Sequence, residues 1–266
     1  MHDKIHIRNL GSSSSGNSTL IWSGKDALLV DIGFSQRYMH EKLEESNVTI
    51  DMLKGVLITH LHGDHITQAM LNKILREGIT VFLHRNLKPA FYKRFRIKNE
   101  KNVVFFAEQP FSVGPFRVNG FEVPHDSSGG CFGFQIHLAE KKISLSTDMG
   151  FTRNGLARQF LNSDLIILES NHDPHLLETS GRSSDLIDRI QQIGHLSNSQ
   201  CTDFLGQIID GSKKLPRAIA LAHLSEDCNR PAIAKKNVEK FLRVRDIQNI
   251  DLHIFKKNQV STLITI

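Results

Sequence analysis

The stretch "THLHGDH" (59–65), directly behind the apolar run "GVLI", constrains this chain more than any other. His60, His62 and His65 stand within six residues of one another with Asp64 between them. Side chains of an extended segment alternate between two faces, so His60 and His62 point the same way. Asp64 and His65 then turn into a helical pattern over 65–77. Imidazole and carboxylate donors at this density suit a borderline divalent ion such as zinc, manganese or iron. One loop cannot complete two metal shells, so further ligands are expected as isolated His or Asp residues elsewhere.

The rest of the chain repeats the same local rule. "KISLSTD", "DLIILES" and "RAIALAH" are apolar runs that end, as "GVLITH" does, in an ionisable or polar residue, and "EVPHDSSGG" adds one more. This places Asp148, Glu169, His223 and His125 at strand ends, where layered α/β folds gather their chemistry. Further strands are predicted at "KIHIRNL", "STLIWSG", "ALLVDIG", "ITVFLH", "NVVFF", "FRVNGFEV" and "FGFQIHL". Helical periodicity appears at 35–46, 65–77, 183–193, 198–210 and 231–245. No repeat, linker or boundary interrupts residues 1–266, which predicts one compact domain.

Several classes are disfavoured. The longest apolar runs, "ALLVDIGF" and "GVLIT", fall far short of the roughly 20 residues of a membrane-spanning helix. "MHDKIHIRNL" lacks the apolar centre of a signal peptide. Cys131, Cys201 and Cys228 show no CxxC spacing, which predicts reduced thiols in the cytoplasm and neither a disulfide frame nor a zinc-thiolate site.

A net charge of +5 weakly favours an anionic partner. Between 84 and 101, Arg85, Lys88, Lys93, Arg94 and Arg96 alternate with Phe91, Tyr92 and Phe95. That pattern suits a single nucleic-acid strand, with charges on phosphates and rings on bases. It equally suits an amphipathic helix with its rings in the core. "GSSSSGNS" (11–18) lies between two predicted strands, so it is a connection inside the domain, either a nest of donors for a phosphate or a solvent-exposed turn.

Taken together, "GSSSSGNST", "LLVDIGFS", "ITHLHGDHI", "VPHDSSGGCFGF", "STDMG", "LESNHD", "GHLSN" and "LAHLSED" resemble a metallo-β-lactamase-fold hydrolase, and within that superfamily the YycJ/WalJ family of metal-dependent DNA exonucleases. The resemblance implies an α/β, four-layer αββα sandwich. It implies that His60, His62 and His125 hold one metal, that Asp64, His65 and His223 hold another, and that Asp148 bridges the two. It gives Asp31 a supporting hydrogen-bonding role, and it puts Glu169 and His195 where nucleases of the superfamily carry an acidic residue and a catalytic histidine. Asn171, His172 and Asp173 are left as candidates for the surroundings of the site.

The stretch "PHLLETSGRSSDLIDRI" departs from the family pattern, and specificity is expected to differ there. No long insert separates Asp148 from His195, which argues against a β-CASP cap. Only 22 residues lie between His125 and Asp148, too few for the arm with which bacterial RNase Z holds tRNA.

These assignments predict phosphodiester hydrolysis by a hydroxide shared between two metals, with 5′ to 3′ polarity on DNA implied by resemblance alone. His195 is expected to protonate the leaving oxygen with Glu169 orienting it, and Asp64 to orient the attacking group as well as bind metal. Ser14, Ser15 and Asn17 are the expected phosphate-side donors. Two other readings stand beside this one: a hydrolase of a lactone, thioester or cyclic nucleotide on the same metals, and a non-catalytic, metal-containing nucleic-acid-binding protein.

Overall fold

"LIILE" (165–169) is apolar on both faces, and a strand of that kind needs cover on both sides. The computed structural model, which describes residues 4–97 and 100–266, supplies it. Leu165 and Ile167 point into a core between two sheets, while Ile166 and Leu168 pack outward under helices. The first sheet obeys the same alternation: Leu28 and Val30 face inward, Ala27 and Leu29 outward.

The first sheet contains β1 (His6–Ser13), β2 (Gly16–Ser23), β3 (Asp26–Val30), β4 (Leu53–Leu57), β5 (Val81–His84) and β6 (Val103–Phe106). The second contains β7 (Phe111–Val113), β8 (Phe116–Val123), β9 (Cys131–Leu138), β10 (Lys141–Ser146), β11 (Leu165–Glu169), β12 (Ala218–Ala222) and β13 (Asp251–Ile254). β14 (Ile264–Thr265) returns to the first sheet and pairs antiparallel with β1, His6 opposite Thr265. The sheet orders are β14-β1-β2-β3-β4-β5-β6 and β13-β12-β11-β10-β9-β8-β7.

Helices cover the outer faces. α1 (Gln36–Glu45), α2 (Gln68–Arg76) and α3 (Lys88–Arg94) contribute Met39, Leu43, Met70, Leu71, Ile74 and Phe91 to the core on the first sheet. α6 (Asn198–Gly211) and α7 (Pro231–Val244) do the same on the second through Phe204, Leu205, Ala234 and Val238. The short α4 (Pro174–Glu178) and α5 (Ser184–Arg189) lie between β11 and α6. The result is the expected four-layer αββα sandwich.

Two expectations are revised. The stretch "GSSSSGNS" is mostly strand: β1 runs to Ser13, β2 starts at Gly16, and only Ser14 and Ser15 form the turn. In the basic stretch, the amphipathic helix prevails. Phe91 and Phe95, four residues apart, are buried together, and the hydroxyl of Tyr92 donates to Glu100. Those two phenyl rings are used by the core and are not offered to bases. Lys98, in the same stretch, lies outside the described residues.

Candidate metal centre

The parallel strands β3, β4, β11 and β12 and the end of β10 deliver their C-terminal residues to one place. Three of those residues, Asp31, Asp148 and His223, have left-handed backbones with φ of 64°, 54° and 55°. Such angles are uncommon outside glycine and cluster at functional sites. Each one turns the chain sharply as it leaves its strand.

Asp31 organises the 59–65 segment. Its Oδ1 accepts from the Thr59 amide at 2.9 Å, and its Oδ2 accepts from the Thr59 hydroxyl at 2.8 Å and from Nδ1 of His65 at 2.7 Å. With Nδ1 donating, Nε2 of His65 is the nitrogen turned toward the other ligand-type side chains. It lies 3.0 Å from Oδ2 of Asp148 and 3.3 Å from Oδ2 of Asp64. His125 is fixed in the same way: Nδ1 meets the Gly194 carbonyl at 2.9 Å, while Nε2 lies 3.4 Å from His62.

The side chains fall into overlapping groups. His60, His62 and His125 each bring one nitrogen within 4.8 Å of the others, and so do the ligand-type atoms of Asp64, His65 and His223. Asp148 joins the groups, because it clusters with His60 and His65 and again with Glu169, His195 and His223. Glu169 holds two imidazoles at once: Oε1 accepts from Nδ1 of His195 at 2.8 Å and from Nδ1 of His223 at 2.9 Å. Its Oε2 accepts from the amides of Met149 and Leu196, so the carboxylate cannot rotate away.

A triad of histidines and an Asp/His/His triad, with Asp148 near members of both, stand at the edge of an αββα sandwich. The sequence model of the Metallo-beta-lactamase superfamily matches residues 13–176. The chain belongs to the metallo-β-lactamase superfamily. It is 27% identical to exodeoxyribonuclease YycJ of Bacillus anthracis over 90% of this chain and 89% of that protein. It is 28% identical to exodeoxyribonuclease WalJ of Streptococcus pneumoniae over 90% and 88%. Among solved structures, the metallo-β-lactamase fold protein YhfI from Bacillus subtilis superposes with a TM-score of 0.73 at 17% identity, covering 99% of each chain.

Membership in the metallo-β-lactamase superfamily implies divalent metal ions, and the donor set fits them. Nε2 of His60, Oδ2 of Asp148 and Nε2 of His223 are buried yet take no hydrogen bond. Buried polar atoms are normally paired. Three orphaned ligand-type atoms from three separate strand ends, each belonging to one of these clusters, are what a cation satisfies. The electrostatics agree. Burial and neighbouring imidazoles hold His60 and His62 below the usual histidine range. Burial opposes charge on His65 and His223 as well, but the Asp148, Asp31, Asp64 and Glu169 carboxylates overcome it and raise both. A cation held by these two rings would displace protons from them.

Of the three donors expected in the serine-rich hairpin, Ser14 lines the cavity, while Asn17 and Ser15 are engaged elsewhere. Nδ2 of Asn17 donates to Ser13 O at 2.9 Å and to Oδ2 of Asp64 at 3.2 Å, and its Oδ1 accepts from Ser12 and Ser13. Asn17 is buried and braces Asp64 instead of facing substrate. The Ser15 hydroxyl reaches Glu226, and Ser14 alone of the three lines the cavity over the His/Asp cluster. Ser12 contributes unexpectedly, its hydroxyl accepting from the His223 amide at 2.8 Å. Asn171 lines the cavity and donates to the His223 carbonyl at 2.8 Å, His172 is buried beside it, and Asp173 caps α4.

Gly33 makes this bracing possible. A Cβ there would lie 1.7 Å from the Asp64 carbonyl oxygen, which accepts from the Asn17 amide at 2.7 Å. Backbone on both sides leaves nothing flexible to yield. Gly33→Ala is expected to cost about 3 kcal/mol, the upper end of the usual overpacking range. At about 2–4 °C per kcal/mol, a thermal melt should show Tm lower by roughly 6–12 °C.

Local sequence reading missed Arg182, Arg189 and Asp126, which also line the cavity. The guanidinium group of Arg189 is bonded to Asp126, the residue next to His125. The two arginines lie beyond the part of the chain that the superfamily's sequence model matches.

Proposed function

We propose that residues 1–266 form one hydrolase domain that acts as a two-metal exodeoxyribonuclease with 5′ to 3′ polarity. The observation that carries this reading is the His60/His62/His125 triad and the Asp64/His65/His223 triad, with Asp148 clustered with members of both and the Glu169–His195 pair beside them. The exodeoxyribonuclease relatives in Bacillus anthracis and Streptococcus pneumoniae, aligned over about nine-tenths of the chain, support the substrate class. His60, His62 and His125 would hold one ion and Asp64, His65 and His223 the other, with Asp148 between them. The nitrogen and carboxylate donors suit zinc, manganese or iron. Among the described residues no helix is long and apolar enough to cross a membrane. The three cysteines are free and buried, in accord with the cytoplasm.

When bound, the ions supply Lewis acidity toward a phosphoryl oxygen and toward water. The protein's own groups do the rest. Asp64, braced by Asn17, accepts a hydrogen bond from the attacking water and aims it at phosphorus. His195, tethered through Nδ1 to Glu169, keeps Nε2 for the departing sugar oxygen and gives it a proton, since an alkoxide is a poor leaving group. Glu169 favours the imidazolium form required for that step, and burial opposes it.

The test is degradation of 5′-labelled and 3′-labelled single-stranded and duplex DNA beside matched RNA, with zinc or manganese added. Stepwise release of label from the 5′ end of DNA, absent in Asp64→Ala, is the expected outcome. Metal-loaded protein that cuts no nucleic acid would sink the proposal and direct attention to lactones, thioesters and cyclic nucleotides.

A further inference from the structure

The cavity above the metal cluster has a volume of about 280 Å³. That is near the lower end of the roughly 300–1,000 Å³ range of ligand sites, room for a group of nucleotide size and not for a duplex. Apart from histidines, Arg182 and Arg189 are the only cationic side chains among the described residues lining it. Leu186 and Ile190 line it too. Leu186, Arg189 and Ile190 are spaced i, i+3 and i+4, one face of α5 and the turn after it, and Arg182 sits just before Ser183, the N-cap of that helix.

The same segment shows why this face is presented. Ile187 and Ile190 pack with Leu177 and Cys228 in a small core of their own. Leu186 stays exposed toward the cavity, where the fold gains little from a leucine.

The segment is also pinned to the metal cluster. Arg189 is bonded to Asp126, the Gly194 carbonyl accepts from Nδ1 of His125 at 2.9 Å, and a Cβ on Gly150 would lie 2.2 Å from the Ile193 carbonyl oxygen. A π-helical turn at Ile190–Gly194 produces this fit, and such turns concentrate at functional sites. The wall therefore stands at a fixed place relative to the reacting centre.

We propose that Arg182 and Arg189 bind the phosphates flanking the scissile one in a single DNA strand, while Leu186 meets the sugar or base between them. This rests on the exodeoxyribonuclease reading above and adds to it the residues that select a charged polymer over a small neutral ester. A guanidinium group carries five donors in a planar fork that matches phosphate. Arg182 holds Asp227 through one nitrogen at 3.0 Å, and that aspartate is well exposed, so the pair exchanges readily for a phosphate. Arg189 has its partner below it, next to His125, and couples phosphate binding to the metal-side wall.

The experiment measures binding of a phosphorothioate oligothymidylate, which resists hydrolysis, to the metal-loaded full chain across a salt series, together with kcat and KM on ordinary single-stranded DNA. Arg182→Ala and Arg189→Ala are compared with Arg182→Lys, Arg189→Lys and the remote charge removal Lys240→Ala. Each alanine variant is expected to flatten the slope of log K against log salt by about 0.7, the contribution of one phosphate contact on a single strand. KM should rise roughly tenfold, with a smaller change in kcat, and the lysine variants should recover most of the salt slope.

A purely structural role would move Tm or metal content without touching that slope. Alanine variants whose slope and KM match the wild type, or change no more than those of Lys240→Ala, overturn the assignment while DNA degradation by the wild type stands. A wild type that hydrolyses bis(p-nitrophenyl) phosphate but neither binds nor degrades DNA overturns the exodeoxyribonuclease reading, and the arginine assignment with it.

Discussion

Replacing His195 with alanine is expected to lower kcat on single-stranded DNA by about 10²–10⁴-fold, the range a positioned general acid supplies, with both metals retained. The reason lies in its tether. Nδ1 is occupied by Glu169, and the ring is the most solvent-reachable of those gathered around Asp148, with about a fifth of its side chain exposed. The proposed ligand triads, His60/His62/His125 and Asp64/His65/His223, do not include it. Metal content after gel filtration, measured beside single-turnover rates, separates the roles: if His195→Ala loses an ion, His195 is a ligand and the acid must be sought elsewhere.

The pH profile offers a second check on the same pair. Burial pushes the His195 pKa down, and Glu169 more than offsets this and raises it. A general acid must be protonated, so the rate falls as pH rises through that raised pKa. Glu169→Gln removes the raising charge, so the alkaline limb should move to lower pH while the acid limb changes less. An unmoved alkaline limb would show that another group donates the proton.

The strand ends were readable because each pairs a β-rich apolar run with one ionisable residue, a pattern confined to seven or so consecutive positions. His60, His125, Asp148, Glu169 and His223 all came from it, and the structure brings them together. What local patterns could not carry was long-range geometry. Asn17 sits in a stretch whose composition signals a turn, yet pairing of β1 with β2 and the contact with Asp64, 47 residues away, turn its amide inward. The left-handed backbones of Asp31, Asp148 and His223 leave only a faint trace in sequence, since Asp and His enter that region more often than most residues but still seldom.

Arg182 and Arg189 look like ordinary surface charges until α5 and the turn after it are folded against His125. The basic stretch shows the opposite failure. Its rings at i and i+4 fit a core helix as well as a stacking platform, and only the position of α3 on the first sheet decides between them. β14 is two residues long and pairs across 259 positions, beyond any local pattern.

Asp148→Asn tests the centre itself and should have the largest effect. The substitution keeps the size of the side chain and removes its charge. Asparagine tolerates the left-handed backbone at this position, where φ is 54°. Its side chain would stand about where Oδ2 now lies 3.0 Å from Nε2 of His65, and its oxygen can still accept from that ring, but the charge that favours the protonated forms of His65 and His223 is gone. The metal-free variant should fold, with a Tm below that of the metal-free wild type, because the two raised histidines lose their leading partner. The wild type should gain stability on metal addition, by about 2.7 kcal/mol at a hundredfold excess over Kd. The variant should gain much less if, as proposed, Asp148 serves both ions. Activity should fall by more than the roughly 10–100-fold that follows loss of an outer-sphere partner. Melting curves with and without zinc or manganese, read beside metal content, distinguish the cases. A variant stabilised by metal as strongly as the wild type would mean that Asp148 does not join the two sites, and the triads would then have to work as independent centres.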